Sequence, residues 1–345
     1  MKQKIKWEQR GDKLCLWTNE GLTWWQLPTK LKDIHPDLLF VAECLLNYPY
    51  YKEDTIKAMA DYKFTRKQGS HPGLCFSGGI DSLAAKIIMP EDTRLIYHKR
   101  ELQIPYNCNY EGIKPLFEKM DREVYVVRSN SDVFRMVHGQ SCGYSTDYCC
   151  GLGLILMADY LDLGYFATGI ILTSAYLSGK GIKYCDLTER KSHSIWVDLF
   201  KDAGLEFYLP VASLNTTLTT KIINENKFNG ETISCYRGTN CNDCIKCYRQ
   251  SLIDGNPIEI TPNIKKSLDE RPLNNHALYS IFNKDCNDRD FSWIDKYYPP
   301  AFIFIPDKFK AFNKEQVEKY AKPMDEPYLI EQIDLTKNKY PRLIK

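Results

Sequence analysis

The stretch Leu74-Cys75-Phe76-Ser77-Gly78-Gly79-Ile80-Asp81-Ser82 predicts a strand, a tight loop and the beginning of a helix. Its first three residues are apolar and favour a strand, and the helix-like run 83–88 that follows favours a helix. Two consecutive glycines let the backbone turn without Cβ clashes and come close to a ligand. Since the loop amides and the positive end of the helix point at one place, the stretch predicts a site for phosphate oxygens.

The same stretch has a simpler interpretation, a strand-to-helix turn in which Ser77 or Asp81 caps the helix. We favour phosphate binding because the whole string Ser-Gly-Gly-Ile-Asp-Ser is present, and it is neither a Walker A loop nor a dinucleotide fingerprint. This string resembles the signature loop of the PP-loop ATP pyrophosphatases. The resemblance implies an α/β fold with a parallel-sheet, adenine nucleotide alpha hydrolase-like core. It also implies cleavage of ATP to AMP and pyrophosphate while a substrate oxygen is adenylated.

Composition and charge limit the class of protein. The 345 residues carry 46 basic and 44 acidic side chains, a net charge of +2, so a large nucleic-acid footprint is not expected. The N-terminus has no apolar signal core, and two aspartates interrupt the best apolar stretch, residues 151–172. We therefore expect a cytoplasmic protein without a membrane span. In that compartment the 13 cysteines are expected to be thiols or metal ligands rather than disulfides.

Three regions are predicted along the chain. Residues 1–70 form an N-terminal extension, in which short β-like runs separated by turns predict a small antiparallel meander before a helix, Asp33 to Tyr48. Residues 71–250 form the PP-loop domain, and residues 251–345 a C-terminal α+β extension. Within the last region we expect a strand at Phe302 to Ile305 and a helix at Asn313 to Tyr320. Either extension could form a homodimer interface or bind a partner protein.

Strands and helices alternate in the central region, which predicts a parallel sheet covered on both faces. The predicted strands are Leu74 to Phe76, Arg94 to His98, Glu123 to Val127 and Tyr165 to Ile170. The predicted helices are Ser82 to Met89, Glu111 to Met120, Cys150 to Leu161, Ser192 to Lys201 and Thr216 to Asn226. Ligands of such sheets bind beyond the carboxyl ends of the strands, so the segments that follow those ends are the candidate site.

Residues 168–183 follow the fourth strand and show no obvious element of their own. Two interpretations fit these residues equally well. They form either a solvated surface loop or a mobile lid whose Lys180 and Lys183 contact phosphate or a substrate acid. We assign both lysines to the catalytic set with Ser77 and Asp81. Lys99, Arg100 and Arg128 are further candidates for positive charge near the loop.

Four cysteines, Cys235, Cys241, Cys244 and Cys247, form the second pattern that carries chemistry. Two overlapping Cys-x-x-Cys turns and one nearby cysteine can close a tetrahedral thiolate shell, which leaves no open position and so predicts structural zinc. An iron–sulfur cluster also takes four thiolates and is the main competitor. A chance grouping of free thiols is the remaining alternative.

The loop and the cysteines together resemble the 7-cyano-7-deazaguanine synthases, over residues 73–250. The match includes Ser234-Cys235-Tyr236-Arg237-Gly238 and the Cys-x-x-Cys-x-x-Cys run that follows. The resemblance implies that the cysteines hold zinc and the loop holds ATP. It implies adenylation of the carboxylate of 7-carboxy-7-deazaguanine, after which ammonia displaces AMP.

Two departures concern the acceptor. The family's Gly-Tyr-Pro-Asp-Cys-Arg-like substrate stretch is missing near residues 171–190, and Asn215-Thr216-Thr217 stands where the family tends to have Lys-Thr-Glu. We therefore expect the nucleotide and zinc machinery of the family with an altered acceptor, either a small-molecule carboxylate or a protein. Extended relatives occur in bacterial and phage defence systems that attach a deazaguanine-type group to a protein.

The expected ATP site consists of Phe76, Ser77, Gly78, Gly79, Ile80, Asp81, Ser82 and His98. Loop amides would hold the departing pyrophosphate, and the Ser77 and Ser82 hydroxyls would add donors. Asp81 would order the loop or lie near Mg²⁺, and His98 would either finish its strand or lie beside the adenine.

Two other functions fit the same loop. One is sulfur transfer to tRNA, which needs a reactive cysteine such as Cys142, Cys149 or Cys185 and a basic surface that the net charge does not favour. The other is a non-catalytic nucleotide-binding subunit of a multi-protein system.

Overall fold

The computed structural model describes residues 5–101, 110–137, 148–171, 174–175, 177–178, 183–184, 191–214, 216–228, 232, 235, 240–253, 256, 258–270 and 304–320. In these residues eight strands form one sheet in the order β1-β2-β3-β6-β5-β4-β7-β10. Its strands are β1 (Lys6–Arg10), β2 (Lys13–Thr18), β3 (Gly21–Gln26), β4 (His71–Cys75), β5 (Arg94–Arg100), β6 (Val124–Ser129), β7 (Leu163–Thr168) and β10 (Glu206–Tyr208). The pairs β6-β5, β5-β4, β4-β7 and β7-β10 are parallel, as expected for the central region.

Helices cover the sheet on both faces. They are α1 (Pro36–Asn47), α2 (Lys52–Asp61), α3 (Ile80–Ile88), α4 (Tyr110–Glu118), α5 (Ser131–Val137), α6 (Leu152–Leu156), α7 (Lys191–Asp202), α8 (Thr216–Glu225), α9 (Ile245–Ile253), α10 (Pro262–Glu270) and α11 (Asp307–Tyr320). Side chains of α3, α4, α8 and α11 share one apolar core, and side chains of α1, α5, α6 and α7 share the other. The crossover helices therefore change face between the β4 and β7 sides of the sheet, which makes the gap between the carboxyl ends of these two strands the topological switch point.

The N-terminal meander is confirmed, and it belongs to the core sheet. Its last strand, β3, pairs antiparallel with β6, where Trp25 lies opposite Ser129 and Gln26 opposite Arg128. The pairing covers an edge of the parallel strands that would otherwise be open. The 1–70 segment that the sequence marks as an extension thus supplies three strands of the central sheet.

Arg66 holds the amino-terminal side of the sheet together. Its guanidinium is almost fully buried and lies 2.8 Å from the carboxylate of Asp159. It also donates to the backbone carbonyls of Leu163, Ala203 and Gly204. One cation therefore ties the segment before β4 to the starts of β7 and β10, and each of its three nitrogens donates to an acceptor.

Several predicted boundaries are wrong for local reasons. The helix expected over Cys150 to Leu161 is a 3₁₀ turn, Tyr148–Gly151, followed by the short α6, because the chain must turn at Asp162, which has φ +51°, to enter β7. The supposedly element-free residues 168–183 contain part of a small hairpin, in which β8 (Leu177–Ser178) pairs with β9 (Lys183–Tyr184).

The C-terminal expectations have mixed outcomes. The predicted helix at 313–320 is confirmed and begins earlier, at Asp307. Of the predicted strand at 302–305, residues 302 and 303 lie outside the described residues, and Phe304 and Ile305 are not in a strand. The Phe304 carbonyl instead accepts one hydrogen bond from the Leu209 amide just after β10, at 2.8 Å.

Glu43 gives the fold a pH dependence that can be measured. This α1 carboxyl accepts a hydrogen bond from the Trp7 indole at 2.5 Å, and burial raises its pKa from 4.5 to about 7 in spite of that bond. The unfolded chain ionises first, so this residue should make the free energy of unfolding fall as pH rises from 4.5 to about 7.

Replacing Glu43 with glutamine keeps an acceptor for Trp7 and removes the titration. We expect Glu43→Gln to raise the free energy of unfolding by about 2–3 kcal/mol at pH 8 and by much less at pH 5. Urea unfolding of both proteins at the two pH values measures the difference. An equal effect at both would show that Glu43 does not titrate in this range.

Candidate phosphate loop and cysteine centre

The loop between β4 and α3 lies at the switch point of the sheet. Residues 76–79 leave the carboxyl end of β4, and Gly169 follows the carboxyl end of the neighbouring β7. A Cβ on Gly169 would lie only 2.9 Å from the backbone nitrogen of Ser82, so the glycine lets the segment after β7 approach the start of α3. The position expected for a ligand of a parallel sheet is therefore the position of this loop.

Two serine hydroxyls fold the loop onto itself. The Ser77 and Ser82 Oγ atoms lie 2.9 Å apart, and the Ser77 amide donates to Ser82 Oγ at 3.2 Å. The Gly79 amide donates to Ser77 Oγ at 3.3 Å, and Ser82 Oγ donates to the Gly79 carbonyl at 3.0 Å. The two hydroxyls thus fix the path of the backbone, which reduces the entropy that a bound ligand would otherwise have to remove.

Gly78 is fixed by its conformation and its neighbour. Its φ is +71°, and a Cβ built there would lie 2.4 Å from Cγ1 of Ile113 on α4. Phe76 and Ile80, on either side of the loop, are buried, and the Phe76 ring packs on Phe117 at a centroid distance of 5.8 Å. The side chains of these two residues support the loop from the core.

Asp81 contacts the neighbouring helix α8. Its carboxylate accepts a hydrogen bond from the Thr219 hydroxyl of α8 at 2.9 Å. Burial raises the pKa of Asp81, while this bond and the positive charges of Lys246 and Arg249 on α9 act in the opposite direction. Of the two roles considered for Asp81, the contacts match the ordering of the loop helix.

His98 lies on the other face of the sheet from α3. Its ring is buried and its Nε2 is 3.5 Å from the Ser131 hydroxyl on α5. Burial lowers the pKa of His98 to about 4, with the Asp132 charge acting against it, so the imidazole is neutral at pH 7. Its Nδ1 has no hydrogen-bond partner among the described residues.

The cations expected to face the loop are largely occupied. Three of these cations are described, and each forms an ion pair with a carboxylate. The pairs are Lys99 with Glu111, Arg100 with Asp132 and Arg128 with Glu101. Lys180 lies outside the described residues, and for Lys183 only the backbone, in β9, is described. The sequence analysis did not single out Lys246 and Arg249, whose charges act on Asp81, although they lie just before and two residues after Cys247.

The four cysteines come together in space. Their sulfurs all lie within 4.8 Å of one another, with Cys235–Cys241 at 3.3 Å and Cys244–Cys247 at 3.5 Å. Disulfide sulfurs would be about 2.05 Å apart. Tetrahedral zinc with Zn–S bonds of about 2.3 Å separates its sulfurs by about 3.8 Å, which is close to these values. The cluster therefore fits a metal ion of that size.

Local backbone features shape the cysteine centre. Asn240 and Asn242, which flank Cys241, have φ values of +48° and +51°, a conformation that asparagine tolerates better than most residues. The Cys241 amide donates to the Cys235 sulfur at 3.5 Å. Asp243 accepts hydrogen bonds from Thr261 and Asn263, which ties the centre to the start of α10.

Zinc in this centre would be structural. The four cysteines would supply all four ligands, and no open position would remain for a substrate. The hydrogen bond with Cys244 and then burial raise the pKa of Cys247, so the thiols favour the protonated state until a cation binds. An iron–sulfur cluster would use the same four ligands.

One protein family matches the part of the chain that carries the cysteine centre. A family of unknown function, DUF6395, matches residues 195–284, which include the four cysteines but not the loop at 76–82. No curated protein matches the chain. No helix in the described ranges is long and apolar enough to cross a membrane.

Gly78 and Gly79 form a matched pair for testing the loop. Gly78→Ala combines a positive φ with a clash against Ile113, so we expect it to lower the free energy of unfolding by about 2–4 kcal/mol. Gly79→Ala places its Cβ 3.4 Å from Ser77 Oγ at a negative φ and should cost much less. Chemical unfolding of both variants makes the comparison, and equal losses would contradict the described loop.

Purified protein is expected to contain one zinc ion per chain, and Cys241→Ser should lose it together with thermal stability. Elemental analysis and a thermal melt provide the measurement. Cys15→Ala, a buried cysteine of β2, is the control that should keep the metal. Iron and sulfide in the purified protein, together with visible absorption, would show that the centre holds an iron–sulfur cluster instead of zinc. A wild-type protein without metal would contradict both assignments.

Proposed function

We propose that this chain is an ATP-dependent, AMP-forming carbon–nitrogen ligase that adenylates a substrate carboxylate, as the 7-cyano-7-deazaguanine synthases do. The observation that carries the proposal is a preorganised Ser-Gly-Gly-Ile-Asp-Ser loop at the switch point of the sheet, in front of a helix N-terminus. Such a loop offers backbone amides and a partial positive charge to phosphate oxygens.

The reaction requires the protein mainly to position the reactants and to stabilise the negative charge of the phosphates. A carboxylate oxygen attacks the α-phosphorus of ATP, the bond to the β-phosphate bridging oxygen breaks, and pyrophosphate leaves. A nitrogen nucleophile then attacks the carbonyl carbon and AMP departs with the bonding electron pair. The loop amides would hold the departing pyrophosphate, and the closed hydroxyl network of Ser77 and Ser82 would fix the direction of attack.

Mg²⁺ would enter the site together with ATP, because this ion usually binds through one or two carboxylates and the substrate phosphates. Asp81 is half-buried and bonded to Thr219, and Asp132 is paired with Arg100 at 2.9 Å. Among the residues that the structure describes, the cysteines form the one group of three or more metal-ligating side chains.

The acceptor is the least constrained part of the proposal. The expected deazaguanine-reading stretch is replaced by Leu172-Thr-Ser-Ala-Tyr-Leu-Ser-Gly-Lys180, so a small-molecule carboxylate and a protein carboxylate are both candidates. A protein acceptor, or a second copy of the chain, would have the terminal extensions available for contact.

One observation bears on the sulfur-transfer alternative. Arg100 donates a hydrogen bond to the Cys150 sulfur at 3.5 Å, near the carboxyl end of β5. Cys149 and Cys150 are nevertheless buried, and tRNA could not reach them without a rearrangement. Cys142 and Cys185 lie outside the described residues.

The test is release of AMP and pyrophosphate from ATP by zinc-loaded protein given 7-carboxy-7-deazaguanine and ammonium. We expect Ser77→Ala to lower kcat/KM about 10- to 100-fold, because two of the loop's internal hydrogen bonds are lost. Ser267→Ala, at a half-buried serine of α10, is the matched control.

The outcomes separate the candidate functions. Turnover that requires the acid supports the ligase, and turnover with a different carboxylate would change the acceptor alone. ATP binding without turnover under all conditions would favour the non-catalytic subunit. Loss of product in Cys149→Ala or Cys150→Ala, with ATP binding retained, would favour sulfur transfer.

A further inference from the structure

The turn that carries two of the metal-ligating cysteines is bonded to helix α10. Asp243 lies in this turn, directly before Cys244. Its Oδ1 accepts a hydrogen bond from the Thr261 hydroxyl at 2.5 Å, and its Oδ2 accepts one from the Asn263 amide group at 2.7 Å. Both donors are at the beginning of α10, whose first residue is Pro262. A single carboxylate therefore joins the cysteine centre to that helix.

The beginning of α10 is well suited to hold a carboxylate. The Thr261 hydroxyl accepts a hydrogen bond from the Ile264 amide at 3.3 Å while it donates to Asp243. The Thr261 carbonyl accepts another from the Lys265 amide at 2.8 Å, so the residue before the helix is fixed by the first helical turn. The positive end of the helix dipole lies at the same place and stabilises an anion.

Helices α9 and α10 are also connected at their other ends. The Ser251 hydroxyl, in the last turn of α9, donates to the Tyr248 carbonyl at 2.8 Å and accepts from the Ile258 amide at 3.0 Å. At the opposite end of α9, the Tyr248 amide donates to the Cys244 carbonyl at 3.0 Å. The two helices are thus bonded to each other near both ends, and the cysteine centre lies at one of them.

The turn between Cys241 and Cys244 needs such support. Asn240 and Asn242 on either side of Cys241 have φ values of +48° and +51°, which are unfavourable for residues with a Cβ. Asp243 is half-buried, so its carboxylate has lost part of its water, and the donors of α10 replace that hydration. A divalent metal with four thiolates would add two net negative charges close to this carboxylate, which makes the donors more important in the loaded centre.

We propose that the beginning of α10 is the outer shell of the metal centre. Thr261 and Asn263 hold Asp243, and Asp243 holds the turn between Cys241 and Cys244 in the conformation that binds metal. Asp243 is thus a positioning residue. Metal affinity and the docking of α10 are coupled, and each raises the other by the same factor. The inference concerns the metal centre alone and does not depend on the ligase reaction.

A simpler role for Asp243 is to cap α10 without any effect on the metal. The two roles differ in what a substitution changes. Loss of a helix cap would lower the thermal midpoint of the metal-free and the zinc-loaded protein alike and would leave zinc affinity unchanged. Loss of an outer shell would weaken zinc binding and destabilise the loaded protein more than the metal-free one.

The experiment is a competition for Zn²⁺ between a chromophoric chelator and the full chain. Asn263→Ala removes one donor to Asp243, and because this side chain is exposed the variant should fold. We expect it to weaken zinc binding about three- to tenfold, since a charge-assisted hydrogen bond is lost at a partly exposed position. Thr261→Val, which removes the other donor at nearly constant volume, should also weaken binding.

Ser267→Ala is the matched control on the same helix. Its hydroxyl donates to the Asn263 carbonyl at 3.0 Å and is not bonded to Asp243, so zinc affinity should stay at the wild-type value. An equal loss in this variant would reduce the effect to helix stability and overturn the proposal. Unchanged zinc affinity in both Asn263→Ala and Thr261→Val, or a wild type that binds no zinc, would overturn it too.

A double-mutant cycle tests whether the effect passes through Asp243. Asp243→Ala should weaken zinc binding, and adding Asn263→Ala to it should cause no further loss, because the bond between the two residues is already absent. Losses that simply add would mean that Asn263 acts independently of Asp243, which contradicts the proposed outer shell.

Metal removal tests the coupling in the other direction. Hydrogen exchange of the α10 amides, followed by mass spectrometry, should become faster when a chelator removes the metal and slow again when zinc is restored. In Asp243→Ala the exchange of α10 should no longer respond to zinc. The amides of the central strand β5 are the internal reference and should exchange equally slowly with and without metal. Unchanged exchange in α10, or equal acceleration in β5 and α10, would overturn the coupling.

Discussion

The hydrogen bond from Thr219 to the half-buried Asp81 is the contact on which the candidate site depends. A carboxylate is costly to bury unless it is hydrogen-bonded and near positive charge. Asp81 obtains the bond from α8 and the charge from α9. The first turn of α3, and with it the loop of residues 77–79, is therefore supported by segments that lie more than a hundred residues further along the chain.

Chemistry that fits within a few consecutive residues could be predicted from the sequence. The loop at 77–82 connects a strand to a helix as expected, and the spacing of the cysteines was sufficient to predict that their sulfurs meet. The parallel pairing of β4 with its neighbours follows from the alternation of elements. In each case the information is local, either a turn that requires glycine or ligands carried by short turns.

Features that depend on neighbouring strands could not be predicted in the same way. Nothing near β3 in the sequence indicates that it pairs with β6, and β10, with three residues, is too short to show a periodic pattern. The placement of Arg100 against Asp132 requires knowing that α5 packs over the end of β5. From the sequence alone, a basic residue after a strand end is a candidate to bind a ligand. The carboxylate that forms an ion pair with it is seen only in the structure.

Two physical demands, burial of Asp81 and closure of a four-sulfur centre, are met by the same part of the chain. Residues 195–284, matched by DUF6395, contain Thr219, the cysteines and the cations of α9. That segment supplies both the hydroxyl that donates to Asp81 and the four metal-ligating sulfurs. The support of the phosphate loop and the closure of the cysteine centre therefore depend on the same stretch of chain.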